Sequence, residues 1–130
     1  TMSAPRALAL LAEPLAICRL APDAPVPTWG HAGPLASVTR TAEELSIVCA
    51  AAAVPPGVAA SAPWRALRVD GPIDLAEIGV MASLAGALAA ARVSVFAIAT
   101  YDTDWLLVRA ESLAAAVAAL RAAGHAVRDD

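Results

Sequence analysis

From Trp64 onward the apolar and polar positions alternate, shift to a helical period, and then alternate again. Trp64-Arg-Ala-Leu-Arg-Val-Asp70 has the two-residue period of a half-buried strand. Gly71-Pro72 stops it, and Asp74 with Glu77 three residues later has the form of a capping box. The periodicity predicts a helix from Asp74 to about Arg92, with Leu75, Ile78, Ala82, Ala85, Leu88 and Ala89 on its apolar face. Val93–Ala99 reads as a buried strand and Trp105–Arg109 as another. Glu111-Ser112 opens a second helix carrying Leu113, Val117 and Leu120, Gly124 closes it as a C-cap, and His125–Arg128 forms a last edge strand. The order β-α-β-β-α-β predicts an α+β, ferredoxin-like fold: an antiparallel sheet with both helices on one face.

The first half is less regular. Leu15–Leu20 is its best strand, and Leu35–Arg40 with Leu45–Cys49 reads as a hairpin turned by Thr41-Ala-Glu-Glu44. Residues 21–34 hold four prolines and read as a loop with room for one helical turn, because proline lacks the donor a helix needs. Residues 50–63, with Pro55-Pro56-Gly57, read as a connection. The spacing of strands predicts a reduced copy of the same βαββαβ order, its helices shrunk to proline-rich turns. The expected division is residues 8–63 and 64–128. Gly79 and Gly86 lie inside the predicted helix at a cost of about 1 kcal/mol each, which points to close backbone approach there.

Composition narrows the function classes. All nine basic residues are arginine, and the chain has no Lys, Asn or Gln. Schiff-base chemistry and the phosphate-loop lysine are thereby excluded. A net charge of −3 gives no basic footprint for nucleic acid. Cys18 and Cys49 each sit in an apolar run and are expected as reduced, buried thiols. Ala7–Ala12 imitates a signal peptide, but it is short and Glu13-Pro14 interrupts it. Ile78–Ala91 falls well short of the ~20 residues of a membrane span. The expectation is a cytoplasmic protein, and Thr1 ahead of Met2 is expected to be a residue left from expression.

Five consecutive hydrogen-bonding side chains form one polar island, Thr100-Tyr101-Asp102-Thr103-Asp104, between two apolar runs. By itself it reads as a polar turn, since Asp and Thr favour turns. His31 and His125 are isolated and read as loop or solvent histidines. No His/Cys/carboxylate group has metal-ligand spacing. Two nearby carboxylates without a nucleophile or base do not make an acid–base site, so no catalytic residue, metal or cofactor is expected. Trp29, Trp64 and Trp105 read as core or interface anchors.

Gly71-Pro-Ile-Asp-Leu75, Gly79 and Val93–Val108 together resemble the ACT domain. The likeness is greatest to the regulatory part of aspartate kinases and the CASTOR-type arginine sensors, and Val38–Val48 resembles the shortened first unit of small bacterial members. The resemblance implies a non-catalytic amino-acid-binding sensor or regulatory subunit, allosteric and homodimeric. It places Ile78, Gly79 and Val80 on one wall of a ligand site and Thr100, Tyr101, Asp102, Thr103 and Asp104 on the other. Ala99 departs from the family, where many relatives have Ser. A helix N-terminus suits an α-carboxylate and a carboxylate suits an ammonium. Asp102 is the preferred ligand-facing residue and Asp104 the structural one, although an extended chain would point both the same way. The alternative is a structural protein–protein interaction module without a ligand.

Overall fold

The computed structural model describes residues 4–130; Thr1 and Met2 lie outside them. Eight strands and two helices succeed one another: β1 (Ala7–Leu10), β2 (Leu15–Leu20), β3 (Ser37–Arg40), β4 (Leu45–Ala50), β5 (Ala59–Val69), α1 (Val80–Ala90), β6 (Val95–Ala99), β7 (Asp104–Arg109), α2 (Leu113–Ala122) and β8 (Ala126–Asp129). Single 3-10 turns stand at Thr28–His31, Ala51–Ala53 and Ala110–Ser112. The fold is α+β, as the periodicity predicts. The described chain divides into two compact units, residues 13–64 and residues 65–130 together with the segment up to Ala12.

In the unit of residues 13–64 the strands lie in the order β3-β4-β2-β5, all pairs antiparallel. Along the chain this is strand, turn, strand, strand, turn, strand, with one 3-10 turn where each helix of a βαββαβ unit would stand. The β3–β4 hairpin is closed by Thr41, whose hydroxyl accepts from the amides of Glu43 and Glu44 at 3.2 Å each. Ala16, Cys18, Leu45, Ile47 and Cys49 form the core, covered by Trp29, Ala24 and Val58. Ala16 pairs with Cys49 and Cys18 with Ile47, so both thiols share one sheet face. Both are buried free thiols, and burial pushes Cys18 up to about 11.

One correction concerns residues 50–63. β5 begins at Ala59, inside the expected connection, and runs eleven residues. Its pairing with β2 slips between Leu15↔Trp64 and Ile17↔Ser61, so Ala62-Pro63 falls at the irregularity. A bulge is where a strand tolerates a residue that cannot donate.

In the other unit the order is β8-β1-β5-β7-β6. β1 runs antiparallel to β5 and parallel to β8, and so lies between the first and last strands of the βαββαβ sequence. Residues 8–12, expected with the first half, therefore belong here. Leu8, Leu67, Val69, Leu106 and Val108 present one face of these strands to Val80, Leu84, Leu88, Ala116 and Leu120 of the helices.

Helix α1 starts at Val80, six residues later than the capping box suggests. Asp74 instead closes a local turn: its Oδ1 accepts from the Ala76 amide at 2.9 Å, and the Glu77 amide donates to the Asp74 carbonyl at 2.9 Å. Glu77 pairs with Arg6 rather than with a helix amide. Gly79, at φ 88°, makes the break, a left-handed conformation that costs a side-chain-bearing residue about 1–2 kcal/mol. The buried stripe is therefore Val80, Leu84 and Leu88, while Leu75 and Ile78 are 68% and 91% exposed. Nothing lies within 4 Å of where a Cβ on Gly79 or Gly86 would stand, so the expected close approach is absent at both.

Both helices end in Schellman geometry. Gly124 and His125 donate to the Arg121 and Leu120 carbonyls; Arg92 and Val93 donate to those of Ala89 and Leu88. At the first end the left-handed residue is Gly124, at the second Arg92, with φ 60°. His125 is corrected from a solvent position to a buried one, 6% exposed, its Nδ1 accepting the Arg6 amide at 3.0 Å. Val93–Ala99, expected as a buried strand, supplies β6, where Ala97 and Ala99 are exposed. The reason is its place at the edge of this unit's strand order.

Candidate functional site

Strand alternation decides where the polar island points. On β7, Leu106 and Val108 face the helices, so Asp104 shares their face and Trp105 takes the other. On β5, Leu67 and Val69 face the helices, so Arg68 shares the face of Trp105. Thr100 to Thr103 is a tight turn rather than extended chain. The Thr100 amide and hydroxyl both donate to the Thr103 carbonyl at 2.9 Å, and the Thr103 hydroxyl donates to the Val69 carbonyl at 2.5 Å. The Ile73 amide donates to the Asp102 carbonyl at 2.6 Å and ties this turn to the segment before α1. Gly71 permits that approach, because a Cβ there would stand 3.0 Å from the Asp102 carbonyl oxygen.

Three cavities adjoin this turn. The first, about 270 Å³, lies between the start of α1 and the end of β6; Gly79, Val80, Met81, Thr100, Thr103 and Asp104 line it with Asp74 and Glu77. The second, about 250 Å³, is bordered by Leu75, Tyr101 and Asp102. The third, about 500 Å³, is bordered by Arg68, Gly71, Pro72, Asp102 and Trp105, with both threonines forming the partition from the first. The expected site residues are thus divided. Gly79, Val80, Thr100, Thr103 and Asp104 meet in one cavity; Tyr101 and Asp102 do not line it, and Ile78 lines none of the three. The turn is why Asp102 and Asp104 part company.

The first cavity is electrically two-sided. The first-turn amides of an α-helix have no partner within the helix, and α1 has neither a side-chain cap nor an acidic residue in its first turn. Opposite stands Asp104, half-buried, with no hydrogen-bond or ion-pair partner among the described residues. Glu77 is matched by Arg6 and Asp74 by the Ala76 amide. An anion at the helix end and a cation at Asp104 would each meet an unanswered group. Ile73, Met81 and Ala82 supply apolar wall; they lacked any polar signal in the sequence. Arg68 and Trp105 could have been found by continuing the strand alternation. Among the described residues no group of three or more His, Cys, Asp or Glu could hold a metal ion, and no helix is long and apolar enough to cross a membrane.

A family model described as an ACT domain matches residues 59–122, and a second, described as an N-terminal domain, matches residues 13–57. No curated protein matches the chain. Among solved structures, a protein from Agrobacterium tumefaciens is 31% identical, with 98% of this chain and 96% of that one covered at a TM-score of 0.92. A protein of unknown function from Vibrio cholerae, described as a possible transport protein, is 24% identical over 90% and 88% of the two chains, at a TM-score of 0.74. The regulatory subunit of aspartate kinase from Thermus flavus shares the fold at 18% identity and a TM-score of 0.65, over 93% and 99%.

Proposed function

The chain belongs to the ACT domain family, and on that premise we propose that it is a non-catalytic regulatory protein whose first cavity binds a free amino acid. The carrying observation is the half-buried Asp104 carboxylate, without a partner among the described residues, in one cavity with the uncapped start of α1. The ligand's α-carboxylate meets the amides after Gly79, and its α-ammonium meets Asp104. At about 270 Å³ the cavity lies just below the range for drug-sized ligands, which favours a small metabolite. The aspartate kinase regulatory subunits that share this fold support the regulatory reading.

The protein acts as a homodimer in the cytoplasm. Leu75, Ile78 and Tyr101 are the large exposed apolar residues of this region, at 68%, 91% and 81%, and a second copy covering them would close the ligand off from water. A ligand gripped better in the closed pair than in the open chain then shifts the association equilibrium. Screening the twenty amino acids by thermal shift and calorimetry tests this. Saturable stabilisation by one of them, lost in Asp104→Asn, is expected; no response to any at millimolar concentration overturns the reading. The same exposed patch favours a second reading, a docking module without a ligand, which predicts a stable partner complex indifferent to every amino acid.

A further inference from the structure

The third cavity lies on the sheet face away from the helices, and its chemistry differs from that of the first. Arg68 holds its guanidinium 5.9 Å from the centre of the Trp105 ring. Its acidic neighbours engage it slackly: Asp130 at 3.6 Å and Asp70 at 4.0 Å. Asp70 is already held by Arg128 through two hydrogen bonds of 2.5 and 3.0 Å. The Asp102 carboxylate, across the same cavity, has no hydrogen-bond or ion-pair partner among the described residues, while the residue's backbone carbonyl is fixed by the Ile73 amide at 2.6 Å. Trp105 and Pro72 give flat apolar wall between these charges.

We infer that this cavity is a second binding site, for a zwitterion with a flat apolar body, the chemistry of an aromatic α-amino acid. Its carboxylate takes the place of the slack acidic neighbours on Arg68, where a planar guanidinium can grip both oxygens. Its ammonium pairs with Asp102, and its ring lies against Trp105 and Pro72. A volume of about 500 Å³ accommodates a larger body than the first cavity does. Thr100 and Thr103 wall both cavities, and hydrogen bonds within the turn and to Val69 hold them in place. This site stands whether or not the first cavity binds a ligand.

The test is a titration of the full chain with L-phenylalanine, followed by amide and indole NMR shifts. Saturable movement of the Trp105 indole and the Arg68 and Asp102 amides is expected. Phenethylamine, which lacks the carboxylate, and 3-phenylpropionate, which lacks the ammonium, should each bind about tenfold more weakly or worse. Arg68→Gln and Asp102→Asn should each weaken phenylalanine by a similar factor while keeping a folded spectrum; both side chains lie on the surface, so two independent variants guard against misfolding in one. No saturable shift at Trp105, shifts confined to Gly79–Ala82, or 3-phenylpropionate binding as well as phenylalanine would each overturn the proposal. Shifts at Gly79–Ala82 report the first cavity separately, so the two sites fail or succeed independently.

Discussion

At the scale of single residues the chemistry turns on which charges already have partners. Glu77 is answered by Arg6 and Asp70 by Arg128, whereas Asp104 faces a cavity with no protein cation among the described residues. Replacing it by Asn keeps the shape and removes the charge. The expected loss of amino-acid affinity is about tenfold or more, since a hydrogen bond to a charged group contributes about 1.5–3 kcal/mol; calorimetry on Asp104→Asn measures it. His125 makes a different prediction. Burial, and then the Arg6 charge, hold its pKa below the ordinary 6.5. The unfolded chain takes up this proton first, so stability is fully present above about 6.5 and is lost as pH falls toward the lower folded value. Denaturant midpoints should therefore drop on acidification below about 6.5, and less so in His125→Asn, which retains an acceptor for the Arg6 amide but no titrating group.

At the scale of elements, α1 carries two contrary backbone choices. Gly86 is a mid-helix glycine with open space beside it, so Gly86→Ala should stabilise by about 1 kcal/mol. Arg92 occupies the left-handed C-terminal position that Gly124 fills in α2, so Arg92→Gly should stabilise by a further ~1 kcal/mol. Gly79→Ala should do the reverse, at about 1–2 kcal/mol, because its φ is 88°. Thermal or urea unfolding of the three variants checks all of them. The same position explains why the helix starts later than the sequence predicts. Asp74 and Glu77 carry the letters of a capping box, but a box opens a helix only if the chain runs on helically beyond it, and the left-handed Gly79 interrupts that run. Letters record which bonds a side chain can make; the backbone conformation at one glycine decided which were made.

At the scale of the whole molecule, β1 belongs with residues 65–130, where it lies between β5 and β8. A fragment of residues 65–130 would lack the strand between β5 and β8, leaving Leu67 and Val69 without Leu8. Such a fragment should show no cooperative unfolding and a collapsed amide spectrum, while adding residues 4–12 in trans or by a linker should restore dispersion. In the intact chain, the proposed ligand should raise the dimer fraction measured by sedimentation, and Ile78→Asp, at a 91% exposed position, should abolish that rise.

The sequence by itself determined the α+β class, the second half's strand and helix order, and the hairpin at Thr41. These are local facts: period, turn chemistry and helix-ending glycine are properties of adjacent residues. Tertiary structure alone decided the rest. Only pairing across more than a hundred residues could set β1 beside β8 and bury His125 against Arg6. Only a hydrogen-bonded turn could send Asp102 and Asp104 to different cavities. Non-local pairing and the partners left for each charge are settled when the chain closes on itself, because a side chain's environment depends on neighbours that its own segment does not encode.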